Sequence, residues 1–398
     1  MISADKKIEL ARWLLNPDHP SAGEASLSTL EKQLRELGLY KVYSEIELPL
    51  VEILDAMQTI GVKVDLNYLA RLSKEMDGEI AGLVKNIYKL AGGVVNLNSP
   101  KQLSKLLFEK LKISDKGIRK TKTGLRSTDV ETLALIRKSH KIVEPILKYR
   151  EIFKLKSTYV EPLRELADKN GRIHTTFVQT GTGTGRLSSQ NPNIQNIPIT
   201  SEWGKTASQV YNVPAEKVTP EMRHVAKTLN FGVAYGMGPN AFAQVSGLSV
   251  EEARKFIKEY YNDFYEVKLW QEKTIQKARQ TGCVENLNGR RRWLPNIANP
   301  NRRLASADER MAINMPIQGL AADIIKLAMI KVAEKIKTKK WQKQVRMLLS
   351  VHDELVFEIA DGIIKDAVEL IKSEMENAYK ISVPLKVESG YGDNWLDS

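Results

Sequence analysis

Residues 219–236, TPEMRHVAKTLNFGVAYG, constrain the fold more than any other segment, because clear helix-start signals and one chemically distinctive face coincide there. The segment opens on a threonine suited to an N-cap, with a proline at the first helical position. Four side chains then recur every fourth residue along one face: Arg223, Lys227, Phe231 and Tyr235. Because cations bind phosphates and rings stack on bases, this face suits a nucleotide. The alternative is an amphipathic surface helix whose cations are merely solvated.

The charge balance favours a polyanionic partner. Lysines and arginines number 60 against 48 acidic residues, a formal charge of +12. A chain of 398 residues that is 42% hydrophobic can bury a substantial core and divide into more than one lobe. The single cysteine, Cys283, excludes an intramolecular disulfide and fits a reducing cytoplasm. We find neither an apolar run long enough to cross a membrane nor the core of a signal peptide, and expect no membrane partner.

Helices dominate the predicted organisation. A stripe of apolar residues at heptad-like spacing predicts a long amphipathic helix from Leu66 to Leu90, which we expect to pair antiparallel with Val143 to Leu166. Between them, the basic run at 116–126 is either a solvated loop or a tip that binds phosphates. A short helix is predicted from Asp5 to Leu15, followed by a linker at 16–27.

The segment SVHDELVFE, residues 350–358, predicts a hairpin that carries carboxylates at its turn. Its turn holds His352, Asp353 and Glu354. Successive strand residues point to opposite faces, so the two carboxylates are not expected to serve one metal ion equally. A metal site here needs a partner carboxylate from elsewhere, and the alternative is that the acidic residues only form the turn.

A strand-like segment, Ile173 to Val178, leads into a loop at 179–198 that is dense in glycine, hydroxyl and amide groups around one cation, Arg186. The loop matches neither a P-loop nor the dinucleotide-binding glycine pattern. Its amides suit the edges of bases or sugars, and the alternative is a polar surface loop. A similar array follows on a helix that contains a proline and a glycine: Arg310, Asn314 and Gln318.

Taken together, these motifs closely resemble the polymerase region of bacterial DNA polymerase I, that is, the family A DNA polymerases. Five motifs carry the resemblance, in this order: TGRLSSQNPNIQNIP, RHVAKTLNFGVAYG, GRRRWLPNI, INMPIQGLAADIIK and SVHDELVFE. It extends from about Tyr40 to Trp395. It implies an α+β right-hand fold with thumb, palm and fingers, mostly helical, with a small antiparallel palm sheet that has lost a strand.

The resemblance also implies a division of the chain and an activity. The implied parts are a remnant of an exonuclease-domain tail and linker at 1–42, the thumb with the start of the palm at 43–170, palm at 171–204, fingers at 205–284 and palm again at 285–398. The implied reaction is template-directed transfer of deoxynucleotides to a primer 3′ hydroxyl in DNA replication and repair. Magnesium, Mg²⁺, is the implied cofactor, and primer–template DNA and deoxynucleoside triphosphates are the implied partners. We expect a monomer in the bacterial cytoplasm, associated with the nucleoid.

Residue roles carry over by position in the motifs. Arg223 and Lys227 resemble the catalytic residues that bind the incoming nucleotide's phosphates, and the pair Phe231 and Tyr235 resembles the residues beside its sugar and base. Asp353 resembles the family's catalytic metal ligand, with Glu354 as its less critical catalytic neighbour. The implied DNA-binding residues are Arg186, Gln195, Asn196, Arg310, Asn314, Gln318 and, at the primer end, His352.

One part of the family pattern is missing. In the family, the Gln-Asn-Ile-Pro loop is followed by a palm strand with an Asp-Tyr-Ser-x-Ile-Glu motif, which supplies the first catalytic Asp. Here NIPITSEWG runs directly into KTASQVYNVPAEKVTPEM. We therefore expect a chain that keeps the nucleic-acid surface but polymerises very slowly or not at all. The N-terminal 40 residues also lack an Asp-x-Glu nuclease site, so no proofreading activity is expected.

Two other functions stay open on the sequence alone. The first is a non-catalytic protein that binds primer–template DNA, which nucleotide-dependent tightening on DNA without extension would favour. The second is a related single-subunit RNA polymerase, although the thumb and the GRLSS loop resemble the DNA enzymes more closely. Incorporation of ribonucleotides rather than deoxynucleotides would favour the latter.

Overall fold

The computed structural model describes residues 2–20, 23–121, 123–195, 229 and 231–395. Its α-helices are α1 (Ala4–Leu15), α2 (Leu27–Glu36), α3 (Tyr40–Val42), α4 (Leu48–Ile60), α5 (Leu66–Ala91), α6 (Pro100–Ser104), α7 (Val130–Leu135), α8 (Val143–Leu155), α9 (Glu161–Glu165), α10 (Pro239–Ser246), α11 (Val250–Asp263), α12 (Tyr265–Thr281), α13 (Arg302–Thr338) and α14 (Ile364–Glu376). Residues 231–234 are also helical. The strands are β1 (Val62–Lys63), β2 (Arg172–Ile173), β3 (Thr176–Val178), β4 (Ser188–Gln190), β5 (Cys283–Glu285), β6 (Arg291–Trp293), β7 (Val345–Val351) and β8 (Glu354–Ile359). Short π-helical turns occupy Tyr43–Glu47, Lys105–Lys110 and Lys156–Val160.

The chain forms two compact units. The first combines Met1–Ile60 with Thr175–Ser398, and the second is the continuous stretch Gly61–His174. In the second unit, α5 begins at the N-cap Asp65 and ends at Gly92, whose left-handed conformation suits glycine. The prediction of this helix is confirmed to within one residue.

The antiparallel pairing of α5 is confirmed by its side-chain contacts with α8 and the segment after it. Ser73 contacts Glu161, Asp77 pairs with Lys156 and Glu79 pairs with Lys148, so residue numbers rise on one element as they fall on the other. The apolar stripe of α5 packs against α8 in the main core of this unit, which includes Ile87 and Ile146.

The basic run of the second unit is partly paired with acidic groups. Arg119 pairs with Asp129, the N-cap of α7, and Arg126 pairs with Asp115 at 2.6 Å. Lys116 and Lys120 are exposed, while Lys122 lies outside the described residues. Two of the cations in this loop are therefore neutralised by local partners.

The first unit is organised around α13, a single helix that continues through Pro316. It contacts α4, α12, α14 and β5. By length and composition this helix is apolar enough to cross a membrane, which the sequence analysis did not anticipate, but half of its most apolar window is buried inside the protein. The helix also buries Asp323 and Lys326, two residue types that are almost never fully buried unless they are paired.

The N-terminal segment is part of this core. Trp13 and Leu34 are 1% and 0% exposed, and they pack in one cluster with Tyr43. The same cluster reaches Leu327 on α13. Burial of these side chains fixes α1 and α2 against the unit, so the stretch expected to be a remnant and linker contributes to the hydrophobic core.

All four strand pairings among the described residues are antiparallel and two-stranded. The single strand predicted from Ile173 to Val178 is wrong in detail, because Ile173 pairs with Val62 and Phe177 pairs with Ser189. The hairpin formed by β5 and β6 was not predicted. The hairpin predicted around residues 350–358 is confirmed as β7 and β8.

Four charged side chains lie in the core of the first unit, none more than 1% exposed: Glu47, Arg290, Asp323 and Lys326. Lys326 Nζ is 2.7 Å from Glu47 Oε1, and Arg290 pairs with both carboxylates, at 2.6 Å from Asp323 Oδ1. Burial alone would raise the pKa of Glu47, but Lys326 and Arg290 outweigh it and hold that pKa below its ordinary value. Burial lowers the pKa of Lys326. We refer to these four residues as the buried ion cluster.

Candidate nucleic-acid interface

The three polar residues predicted on α13, Arg310, Asn314 and Gln318, form a row that lies at least partly on the surface. Arg310 is exposed, and Asn314 and Gln318 are half-buried. Within the described part of the chain, Asn314 Oδ1 has no hydrogen-bond partner. The glycine that follows Gln318 allows a close approach, since a Cβ on Gly319 would lie 3.2 Å from the carbonyl oxygen of Thr184. The row therefore ends where another segment of the unit contacts the helix.

That segment is the glycine–threonine loop, residues 180–186. It passes over α13 at Thr184 and turns at Gly185, whose φ of +85° favours glycine. The hydroxyl of Thr182 donates to the carbonyl oxygen of Arg186 at 2.9 Å and closes the loop. The side chain of Arg186 is exposed. Arg186 thus follows, by two residues, the point where the loop meets the row on α13.

Gln195 has a structural contact of its own. Its side-chain amide donates to the carbonyl oxygen of Ser350 at 2.8 Å, and the residue is 9% exposed. This bond joins the end of the loop segment to β7 just before His352. Its predicted role in the groove stays a prediction, and Asn196 lies outside the described residues.

The turn between β7 and β8 presents the predicted polar residues to solvent. Val351 pairs with Glu354, so His352 and Asp353 form a two-residue turn. His352 has a φ of +55°, a left-handed conformation that is uncommon outside glycine and costs about 1–3 kcal/mol. All three of the polar residues are exposed.

The aromatic half of the predicted nucleotide face is also on the surface. The rings of Phe231 and Tyr235 are stacked, 6.4 Å between centroids and 12° between planes, and Phe231 is 41% exposed. Val233, on the opposite face, is fully buried and its carbonyl oxygen accepts from the Tyr261 hydroxyl at 3.1 Å. Gln271 donates to the next carbonyl at 2.8 Å. Arg223 and Lys227, the cationic half of the face, lie outside the described residues.

Gly236 connects this face to the row on α13. A Cβ there would lie 2.8 Å from Ile313 Cδ1 and 3.5 Å from Arg310 Cγ. The end of the aromatic helix therefore packs beside the first residue of the row. The structure thus places Gly236, just after Tyr235, beside Arg310, and Thr184, two residues before Arg186, beside Gly319 at the other end of the row.

Comparison with known proteins decides the family. The family model described as DNA polymerase family A matches residues 66–206 and 203–397. The chain belongs to the family A DNA polymerases. It is 41% identical to the thermostable DNA polymerase I of Thermus aquaticus over 93% of this chain and 49% of that protein. It is 38% identical to DNA polymerase I of Bacillus subtilis over 93% of this chain and 48% of that protein. The chain spans about half the length of the curated relatives it matches.

A solved structure of this family agrees in fold. The polymerase domain of Pol1 from M. smegmatis, in complex with DNA primer-template and dNTP, matches with a TM-score of 0.89 at 32% identity, over 98% of this chain and 81% of that one. The family A fold, mostly helical with small antiparallel sheets, is thereby confirmed. The alignment with the Thermus aquaticus relative is 419 positions long, but it includes only about 370 residues of this chain. At about 50 positions, the relative therefore has a residue where this chain has a gap.

The described residues do not fit the two-ion magnesium site that family membership implies. Among them, no group of three or more His, Cys, Asp or Glu side chains is arranged to hold a metal ion. Asp323 is occupied by Arg290 and, through Oδ2, by Asn286 at 2.7 Å. Glu358 pairs with Arg346 and, at roughly 3.3 Å per residue, lies about 16 Å along the strand from Asp353. Asp353 and its neighbour offer a partial metal site only.

Replacing Gly236 with alanine is expected to destabilise the first unit by about 1–3 kcal/mol, because its φ of +82° strains any other residue and the added Cβ meets Ile313. Chemical denaturation followed by tryptophan fluorescence measures the loss. Gly362→Ala is the matched control, since a Cβ on Gly362 meets nothing within 4 Å. Equal unfolding free energies for the two variants would show that the contact with α13 is not tightly packed.

Three residues that contact the glycine–threonine loop could not be predicted from the sequence. They are Trp13, Asp18 and Arg292. The alternating glycines of the loop are the only local signal, since each marks a place where another group can approach the backbone closely. Nothing in the sequence indicates which groups those are.

Proposed function

We propose that this chain binds primer–template DNA and a deoxynucleoside triphosphate as a DNA-directed DNA polymerase of family A. The reaction of its lineage is template-directed transfer of a deoxynucleotide to a primer 3′ hydroxyl in DNA replication and repair. The observation that carries the proposal, in a chain of this family, is the polar row on α13, which begins beside Gly236, the residue that follows the stacked pair of Phe231 and Tyr235. Such a surface combines groups for base edges with rings for stacking.

The proposed roles follow the motifs. Arg223 and Lys227 neutralise the triphosphate, and Phe231 and Tyr235 contact its sugar and base. Asp353 is a metal ligand for Mg²⁺. The proposed DNA-binding residues are Arg186, Gln195, Asn196, Arg310, Asn314, Gln318 and His352. The thumb at 43–170, the palm at 171–204 and 285–398 and the fingers at 205–284 are proposed divisions, and the monomer is proposed to act at the nucleoid in the bacterial cytoplasm.

We further propose that the first catalytic Asp of the family has no counterpart here, so that extension is severely impaired. The family matches meet at 203–206, next to the place where the motif is expected. The sequence has no aspartate between Asp168 and Asp263, a stretch that includes every residue from the glycine–threonine loop to the aromatic pair. Mg²⁺ would supply electrostatic stabilisation of the transferring phosphoryl group, but a site with one recognisable carboxylate anchor holds two ions poorly.

Primer–template binding tests the proposal directly. Arg310→Ala is expected to weaken binding of a fluorescent primer–template about 5- to 10-fold or more, as loss of a base-edge contact does. Lys337→Ala is the matched control, because it removes the same charge about 40 Å further along the same helix. Anisotropy at fixed salt measures both variants. Equal losses would indicate a non-specific charge effect and contradict the proposed interface.

A second candidate is a non-catalytic primer–template binding protein, favoured by the incomplete metal site in the described residues. Both candidates predict that the templated deoxynucleotide tightens DNA binding. Only the polymerase predicts any templated extension over long incubation. If ribonucleotides tighten the binding of primer–template DNA as strongly as deoxynucleotides do, the result would favour an RNA polymerase.

A further inference from the structure

The glycine–threonine loop rests on the N-terminal segment, which lies outside the residues that the family model matches. The hydroxyl of Thr180 donates to Glu9 Oε1 at 2.8 Å. The indole of Trp13 donates to the carbonyl oxygen of Thr182 at 3.3 Å. The loop therefore takes two of its hydrogen bonds from α1, more than 160 residues away in sequence.

An ion pair between Asp18 and Arg292 lies across the middle of the loop. Arg292 donates to both carboxylate oxygens of Asp18, at 2.9 Å from Nε and 2.8 Å from the terminal nitrogen. A Cβ on Gly183 would lie 2.8 Å from Asp18 Oδ1 and 2.9 Å from Arg292 Cζ. The pair is thus in contact with the loop backbone itself. A further bond, from the Trp293 indole to the carbonyl oxygen of Leu15 at 2.8 Å, holds the two partner segments together.

The ion pair between Asp18 and Arg292 is expected to contribute little to the free energy of unfolding. The side chains of Asp18 and Arg292 are 35% and 16% exposed, and ion pairs near the surface typically contribute little to folding. The pair instead restricts a loop with three glycines, whose backbone would otherwise sample many conformations. Because Thr182 holds the carbonyl of Arg186, fixing the loop at Gly183 also fixes the backbone that carries Arg186.

We propose that Asp18 and Arg292 are positioning residues for primer–template binding, which orient Arg186 beside the polar row on α13. The inference rests on the proposed DNA-binding function of that face. Neither residue needs to touch DNA. The N-terminal segment is then a working part of the DNA-binding surface and not only part of the core.

Asp18→Asn separates positioning from simple electrostatics. Removing a negative charge from a DNA-binding protein should strengthen binding if only the overall field matters. Positioning predicts the opposite, a weakening of about 5- to 10-fold, as for a lost base-edge contact. Asp5→Asn in α1 is the matched control, because it removes the same charge from an exposed residue of the same segment. Anisotropy with a fluorescent primer–template measures both.

Arg292→Gln adds a second discrimination. If Arg292 only positions the loop, the dependence of the binding constant on salt concentration stays unchanged, whereas loss of a direct phosphate contact lowers that slope by about one. Arg291→Gln is its control, since the neighbouring Arg291 pairs with Glu285 across the hairpin instead. Exchanging the charges, with Asp18→Arg and Arg292→Asp together, should restore part of the lost affinity.

Hydrogen exchange and trypsin cleavage after Arg186 report on the loop without DNA. If Asp18 holds the loop, residues 182–186 exchange faster, and cleavage after Arg186 is faster, in Asp18→Asn than in Asp5→Asn. Weaker DNA binding together with this loosening supports it. Unchanged loop exchange, or Asp18→Asn binding DNA as tightly as Asp5→Asn, overturns it. If the wild-type chain binds no DNA, the proposed function fails, and exchange still decides whether the pair holds the loop.

Discussion

Primer extension by this chain is expected to be at least about 10²–10³-fold slower than by a family relative that carries both metal-binding carboxylates, since loss of one preorganised electrostatic contact typically costs that much. A carboxylate that bridges two cations offsets their mutual repulsion, so its loss should cost more than that of a single hydrogen bond. Among the described residues, no group of three or more potential metal ligands includes Asp353, and the carboxylates of Asp323 and Glu358 pair with Arg290 and Arg346.

Single-turnover extension with saturating primer–template and one templated deoxynucleotide measures this rate without a contribution from DNA release. Asp353→Asn is the informative variant. If residual extension uses Asp353, the variant lowers the rate further while DNA affinity stays within about twofold, because the exposed turn residue is not a DNA-binding residue in this proposal. Extension at the rate of the complete relative would show that another carboxylate completes the site.

Local pattern was sufficient for much of the fold. The limits of α5 follow from Asp65, Gly92 and the apolar stripe between them. The hairpin of β7 and β8 follows from two short apolar runs around a polar turn. In both cases the signals lie within the element itself, so neighbours in sequence determine the structure.

Contacts between distant segments could not be predicted in the same way. The strand expected from Ile173 to Val178 divides because its two ends pair with different partners, Val62 and Ser189. The pairing partner of a strand depends on which other strand lies beside it in the folded protein, and a short apolar run does not encode that partner. The site shows the same limit: the row on α13 is visible in sequence, but the ion pair beneath the glycine–threonine loop is not.

The buried ion cluster is the clearest case of a feature without a sequence signal. Its members come from three separate places in the chain, because Asp323 and Lys326 both lie on α13, and each is of a residue type that is almost never fully buried unless paired. The cluster also hydrogen-bonds the start of the loop, because Gln179 donates to Glu47 Oε2 at 2.9 Å. It therefore joins the N-terminal segment of the first unit, through Glu47, to α13 and to the residue that precedes the glycine–threonine loop.

Glu47→Gln is expected to destabilise the first unit by about 3–5 kcal/mol, since removing one partner of a buried pair leaves an uncompensated charge in a medium that solvates it poorly. The variant keeps the shape of the side chain but leaves Arg290 and Lys326 with Asp323 as their only carboxylate in the cluster. All six tryptophans of the chain lie outside Gly61–His174, so tryptophan fluorescence during urea denaturation follows the first unit alone.

Glu45→Gln is the matched control, because Glu45 is exposed on the same turn, and exposed substitutions usually change stability by no more than about 0.5 kcal/mol. The pH dependence gives a second check with a defined sign. The folded pKa of Glu47 lies below its ordinary 4.5, so its contribution is complete above pH 4.5 and is lost as pH falls through the folded value. The difference in the free energy of unfolding between wild type and Glu47→Gln should therefore become smaller at acidic pH. If this difference in the free energy of unfolding stays constant until the protein unfolds in acid, the charge of Glu47 does not stabilise the cluster.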